Sequence, residues 1–232
     1  MKRYMLMTVW VALLTLGLTS CSDDDKLPVV VPSATGTMQD NDGNEYHWVR
    51  IGNLDWMTEN LHCGTPLYDD LDNDRWGNYY SLSWKGDRES LIEHYNRFGN
   101  YYSWQEAMDN APEGWRLPTD EDWKNLEMAL GMSKSEADKD GWRNGASQLM
   151  TQSTDGTGLD FRYGGQVCYF SWSVTVYHDY DYGYYWTGTR DDVNDEPASY
   201  ARAITPSKNA VNRIHVLHEQ HFLSVRYVRD AK

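Results

Sequence analysis

The chain reads as an α+β protein, and three observations in its 232 residues predict this. Two segments carry strong helix-start signals, Ser103 with Glu106, and Thr119 with the carboxylates that follow it. Around them lie short aromatic and β-branched runs bounded by Gly, Asn and Asp, the pattern of brief strands and tight turns. Helix signals fall before Gly141 and strand signals crowd after it, a segregation that favours α+β over an alternating parallel design.

The first segment is not part of that domain. Lys2 and Arg3 precede an apolar run from Met5 to Leu18, and Leu18-Thr19-Ser20 closes residues 1–20 in the layout of a secretory signal. The run is shorter than the ~20 apolar residues that span a bilayer, so removal is expected. Cys21 follows directly and resembles the lipobox cysteine of bacterial lipoproteins, which is diacylated and becomes the mature N-terminus. Asp23, Asp24 and Asp25 resemble the surface-export signal of Bacteroidetes lipoproteins. These likenesses imply lipidation at Cys21, outer-membrane lipid as a partner and display at the cell surface. Residues 21–36, acidic and then Pro-bounded without period, read as a tether, and 37–232 as one domain.

The formal charge is −14, and losing Lys2 and Arg3 makes the mature chain more acidic still. Nucleic acid is excluded as a partner, since binding it requires a basic patch. With 11 Trp and 17 Tyr against 4 Phe, the aromatic content is amphipathic and suits both packing and contacts to sugars or proteins.

Within the domain, Tyr46, Trp48 and Ile51 sit between the turn signals Asp42-Gly43 and Gly52-Asn53, which predicts consecutive hairpin strands. Asp40, Asp42 and Asn44 resemble the start of a calcium loop, but no Glu closes the coordination, so a hairpin turn is expected there. Trp76 to Ser81 and Phe98 to Ser103 repeat an aromatic-Gly-Asn-Tyr-Tyr-Ser unit, read as a duplicated strand and turn. Ser103 and Glu106 form a capping box for a short helix to about Asn110, with Trp104, Ala107 and Met108 as its apolar face. Thr119 caps the next helix, Asp120, Glu121 and Asp122 fill its first turn, and Trp123, Leu126 and Leu130 share a face before Gly131. Gly145 to Met150 reads as a helical turn. Strands are predicted at Val167 to Val176, Gly183 to Thr189, Ser199 to Ile204 and Phe222 to Val228.

Several phrases then align in order: Asp42-Gly43-Asn44-Glu45-Tyr46, Trp56-Met57-Thr58-Glu59-Asn60-Leu61, Tyr101-Tyr102-Ser103-Trp104, Gly114 to Thr119, Tyr185 to Thr189, and Ser224 to Asp230. Together they resemble the Fibrobacter succinogenes major paralogous domain family of surface lipoproteins, over about Met38 to Asp230. The resemblance implies a C-type-lectin-like fold, with small antiparallel sheets, two short helices and long loops. Where the family commonly closes on a cysteine, this chain has Tyr227. The phrase Arg116-Leu117-Pro118-Thr119 with Trp123 also resembles formylglycine-generating enzymes. Those need reactive cysteines or a histidine set, which the motifs here do not supply.

Candidate sites are few. Cys63 and Cys168 are far apart in sequence, and an oxidising compartment leaves open whether they form a disulfide. His215, His218 and His221 approach a strand as an extended segment, where residues three apart face opposite ways, so no metal and no cofactor are expected. Asn194-Asp195-Glu196-Pro197 has the wrong order for a lectin calcium motif and reads as a solvated loop. Trp115, Trp123, Trp186 and Val225 are expected in the core. The most site-like stretch is Tyr177, Asp179, Tyr180, Asp181, Tyr182 and Tyr184, where tyrosines alternate with carboxylates. Such rings give rigid contact area and such acids accept hydrogen bonds. The expected function is a non-catalytic surface lipoprotein whose domain binds a glycan or protein, with an envelope-assembly role as the alternative.

Overall fold

A computed structural model describes residues 27–70, 82–153, 155–170 and 173–232. The signal segment, Cys21 with its acidic cluster, and the Trp76 to Ser81 copy of the duplication lie outside the described residues. The elements in chain order are β1 (Thr35–Gln39), β2 (Glu45–Ile51), β3 (Leu54–Met57), β4 (Leu82–Ser83), α1 (Arg88–Phe98), α2 (Trp104–Asp109), α3 (Asp120–Ala129), α4 (Lys134–Ala137), β5 (Gly141–Asn144) and α5 (Ser147–Met150). They continue with β6 (Gln166–Phe170), β7 (Ser173–Tyr177), β8 (Gly183–Arg190), β9 (Ala198–Ile204), β10 (Ala210–Leu217), β11 (His221–Phe222) and β12 (Val228–Asp230). This is an α+β arrangement of small, mostly antiparallel sheets.

Three four-stranded sheets carry the fold, in the orders β1-β2-β3-β12, β5-β10-β9-β8 and β11-β6-β7-β4. The β4 and β7 pair is parallel, whereas the other named strand pairs are antiparallel. The first sheet holds the first and last strands at its opposite edges, β12 closing on β3 with Val228 opposite Trp56. Among the described residues no helix is long and apolar enough to cross a membrane.

The helix starts follow their local chemistry. Ser103 accepts from Glu106 N and Glu106 returns the bond, a full capping box, and Thr119 and Asp122 form a second. Trp123, Leu126 and Leu130 of the α3 region are buried, while Met108, expected on the apolar face of α2, is 40% exposed because α2 packs through Ala107. Helix α1 was not predicted. Its N-cap Asp87 accepts from Ser90 N, and its inner face contains His94 between Leu91 and Phe98, so a buried polar residue blurs the apolar period. Phe98 therefore ends a helix rather than opening a strand, and Gly99 turns the chain at φ 78°. The run Val167 to Val176 divides into the β6–β7 hairpin, and the segment from His215 to His221 divides between the end of β10, a turn and β11, with β10 a central strand of the second sheet.

The tether boundary also shifts. Ser33 N donates to Arg50 O at 3.0 Å and Arg50 N to Ala34 O at 2.8 Å, so pairing with β2 begins before residue 37. Val30 packs against the core formed by Trp56, Trp123, Phe161 and Tyr185. A second cluster gathers Met57, Leu61, Trp115, Trp186 and Val225, and a third joins α1 to the sheet of β6 and β7 through Leu91, Tyr101, Val167 and Val174. Tyr227 is fully buried and donates its hydroxyl to Ala107 O at 2.8 Å, so a phenol ties the last segment to α2.

Candidate functional site

The predicted aromatic and acidic stretch folds as a turn rather than a strand. Strand β7 ends at Tyr177, β8 begins at Gly183, and His178 and Tyr180 adopt left-handed backbone angles, φ 61° and 66°. Each such angle costs a non-glycine residue about 1–3 kcal/mol, so surrounding bonds must hold it. They do: Tyr180 N donates to Tyr163 O and Gly165 N to Tyr182 O, both at 2.7 Å. The left-handed residues break the alternation that a pleated strand would impose. Five of the six residues consequently separate into two groups, and Asp181 joins neither.

Tyr177, Tyr182 and Tyr184 gather around His178. The Tyr177 and His178 rings are 3.8 Å apart, His178 and Tyr182 5.0 Å, and Tyr182 and Tyr184 5.8 Å. Trp142 of β5 extends this strip, 6.3 Å from Tyr182, with the Lys208 ammonium 3.5 Å over its ring. Burial pushes the Tyr184 phenol up to about 12, so it stays a neutral hydroxyl.

Asp179 and Tyr180 turn instead toward α1. Tyr180 is 53% exposed, its ring 5.2 Å edge-on from Phe98, with the Arg97 guanidinium 5.4 Å over it. Asp179 Oδ2 lies 3.9 Å from Nδ1 of the buried His94, beyond hydrogen-bonding distance, and burial raises its carboxyl above the ordinary value. His94 Nε2 meets the Tyr101 hydroxyl at 2.7 Å, and that hydroxyl donates to Gly164 O. Nε2 must then be the donor to Tyr101, which leaves Nδ1 as a lone pair or a charged N–H. Burial, reinforced by Arg97, pushes the imidazole down to about 4. Asp181 is exposed in the turn.

Beside Tyr180 opens a cleft of about 550 Å³ lined by Arg97, Phe98, Asp160, Arg162, Tyr163 and Pro206. Arg162 takes Asp160 through Nε at 3.1 Å and through Nη2, and gives Nη1 to Arg97 O at 3.2 Å. Behind this wall the fully buried Arg226 donates to Asn60 Oδ1 at 2.6 Å, to the carbonyls of Met57, Leu159 and Asp160, and faces the Phe161 ring at 4.8 Å. Sequence reasoning did not select Arg97, because its contact with Tyr180 spans 83 positions and leaves no local signal.

A larger cleft, about 700 Å³, lies between the first sheet and Ser153, Gly156, Gly158 and Asp160. Its polar groups are mutually engaged: Glu59 takes His47 Nδ1 at 2.8 Å with one oxygen, and His47 N and Thr58 Oγ1 with the other.

The other candidates find separate employment. Cys63 and Cys168 are free and buried, Cys63 among the second cluster and Cys168 opposite His221 in the β6–β11 pair, so no bridge joins them. Burial and Asp42 push the Cys63 thiol up to about 12. His215 meets Asp191 at 2.7 Å, His218 meets Ser199 Oγ at 2.8 Å and stacks on Trp104, and His221 meets Gln166 at 3.0 Å. Asp40 spends its carboxylate on Asp42 N, Asn44 N, Asn44 Nδ2 and the Tyr46 hydroxyl, as a hairpin turn does. Among the described residues no group of three or more His, Cys, Asp or Glu is placed to hold a metal. Asn194 and Asp195, both left-handed, make the tight turn between β8 and β9.

The recurring phrases prove to be the scaffold of the cleft. Asn60, in the phrase ending at Leu61, receives Arg226 from the closing phrase and donates to Phe98 O at 2.7 Å. Tyr185 donates to Arg162 O at 2.6 Å, and Trp186 Nε1 to Tyr102 O at 2.7 Å. Comparison with curated proteins and with solved structures gives no match. The family model of the Fibrobacter succinogenes major domain matches residues 49–229, a span that contains every one of these scaffold residues. The chain belongs to the Fibrobacter succinogenes major domain family.

Proposed function

We propose that this chain is a non-catalytic lipoprotein, anchored through Cys21 at the outer membrane and displayed at the surface, whose C-type-lectin-like domain binds a ligand at the Tyr180 cleft. The observation that carries the reading is Tyr180 itself. A half-exposed aromatic ring is held on a strained backbone, at the mouth of a cleft whose other wall is fixed by buried hydrogen bonds. Rigid aromatic rings over a preformed concavity suit ligand binding at low entropic cost.

A lectin-like architecture is supported by the small antiparallel sheets and by the long irregular stretches, such as residues 157–165, that build the cleft. A non-catalytic role is supported by the placement of the reactive groups: both thiols are buried, and the three late histidines each serve a different partner. The anchor is supported by Leu18-Thr19-Ser20-Cys21 in the sequence.

A glycan array probed with the purified protein and with Tyr180→Ala tests the binding site. Glycan binding lost in Tyr180→Ala is the expected result. Binding unchanged in the variant removes the cleft from the proposal, and no glycan bound alongside a protein partner crosslinked in cells favours the envelope-assembly role. Surface proteolysis of intact cells expressing wild type or Cys21→Ser tests the anchor: a domain protected from protease contradicts external display.

A further inference from the structure

We infer that the Tyr180 cleft selects an anionic saccharide, one whose acidic group is met by Arg97 while its ring packs on Tyr180. The inference rests on the ligand-binding reading above and names the chemical class that this site takes.

Charge is the first ground. The chain carries −14 overall, yet the residues that line the cleft set Arg97 and Arg162 against one carboxylate, Asp160, which Arg162 already holds; Asp179 and Asp181 flank Tyr180 on the turn without lining the cleft. Arg226 adds a third guanidinium behind the wall, and it is bound by an amide and backbone carbonyls rather than by an acid. The cleft is thus a local cationic spot on an acidic molecule. Its field would gather an anion that the rest of the surface repels.

Arg97 is the second ground. It is exposed, and among the described residues it makes no ion pair; its guanidinium rests over the rings of Phe98 and Tyr180, at 5.2 and 5.4 Å. That placement holds the cation over a hydrophobic bed and leaves its N–H donors open, the geometry in which a guanidinium takes a carboxylate or sulfate in two-pronged fashion.

The third ground is the pairing of cation with platform. The exposed Tyr180 ring and the Arg97 head are adjacent, while the Tyr163 ring lines the same cleft. A sugar offers an apolar face to an aromatic ring and hydroxyls to polar neighbours; a uronate or a sulfated sugar adds the charge that Arg97 lacks. A neutral glycan would leave that guanidinium unmatched, and a small inorganic anion would leave the ring bare.

Titration calorimetry at low salt with oligogalacturonides, alginate oligomers and heparin oligosaccharides, against a neutral galacto-oligosaccharide, tests this. The expected result is binding of at least one acidic probe about tenfold or more tighter than the neutral one, weakened by added salt. Arg97→Gln should erase the preference and Tyr180→Ala the binding; both side chains are exposed, so circular dichroism should show an unchanged fold. Preference for heparin over the uronates identifies sulfate as the source of charge, and the reverse identifies carboxylate. Equal affinity for the neutral probe, or an acidic preference that survives Arg97→Gln, overturns the inference while leaving a ligand-binding cleft. Failure of every saccharide, charged and neutral, overturns the inference and leaves the cleft to a protein ligand, the case that crosslinking in cells decides.

Discussion

Glu127 accepts from both terminal nitrogens of Arg143, at 2.6 and 2.7 Å, and neither side chain has any solvent exposure. The same carboxylate takes Arg202 Nε at 2.7 Å, and Asp120 takes Arg202 and Arg213. One helix, α3, is thereby bolted through its acids to three strands of the second sheet. Glu127→Gln would strip the buried Arg143 of its counter-charge and leave Arg202 with Asp120 alone, a loss of about 3–5 kcal/mol by the behaviour of broken buried pairs. Urea unfolding measures it, and a change under about 1 kcal/mol would show that the network contributes little.

Acid should weaken the fold in two stages. His94 is pushed down to about 4 by burial and Arg97, against an ordinary value near 6.5. The unfolded chain therefore takes up this proton first, so the stability from a neutral His94 is whole above about 6.5 and is lost as pH falls toward 4. The loss amounts to roughly 3 kcal/mol. His62 and His221, also lowered by burial, act in the same direction. Burial opposes the charge on Asp120, yet the Arg213 and Arg202 guanidiniums outweigh it and hold the carboxyl at about 2. Its share is present above about 3.9 and disappears between there and about 2. Urea midpoints at pH 7, 5.5 and 4 should fall steadily; a flat profile over that range contradicts a neutral buried imidazole.

Both thiols should be unreactive in the native state. Cys63 is 4% exposed with its thiol pushed up to about 12, and Cys168 is 6% exposed with its thiol raised by burial. The thiolate is the reacting form, so a thiol reagent should label neither native residue and both after denaturation. Labelling of neither residue in denaturant without reductant would reveal a disulfide instead.

Gly183 marks where the cleft wall crosses the end of β8. A Cβ there would stand 2.1 Å from Arg162 O, the carbonyl that receives the Tyr185 hydroxyl. Gly183→Ala should cost about 2 kcal/mol through overpacking, roughly 4–8 °C in Tm, and should loosen ligand binding with it. Gly188→Ala, whose added methyl meets Leu117 at an ordinary 3.4 Å, is the control and should melt within about 2 °C of wild type.

What the sequence made legible was what residues within four positions of one another decide. The capping box at Ser103, the N-cap at Thr119 and the hairpin turn built on Asp40 are of this kind, and each formed as read. Strand β10 was hidden because its inward residues include Arg213, whose polarity makes sense only beside Asp120, 93 positions away. The alternation from Tyr177 to Tyr184 announced a surface of rings and acids, and three of the six, Tyr177, Tyr182 and Tyr184, gather around one imidazole. The split at Tyr180 comes from backbone angles enforced by Tyr163 and Gly165, which no local pattern records. Arg97, the residue that gives the cleft its charge, was invisible for the same reason.

Arg50 touches both ends of the domain: its backbone pairs with Ser33 and Ala34, and its guanidinium reaches Lys232 O at 3.3 Å. The backbone at Ser33 and that at Lys232 are therefore neighbours, with one side chain between them. A short linker could join them and new ends could be opened elsewhere, for instance in the turn at Asn194, without moving a sheet. By the same geometry the unit can be spliced into a loop of another protein as a self-contained bud, its Tyr180 face carried along unchanged.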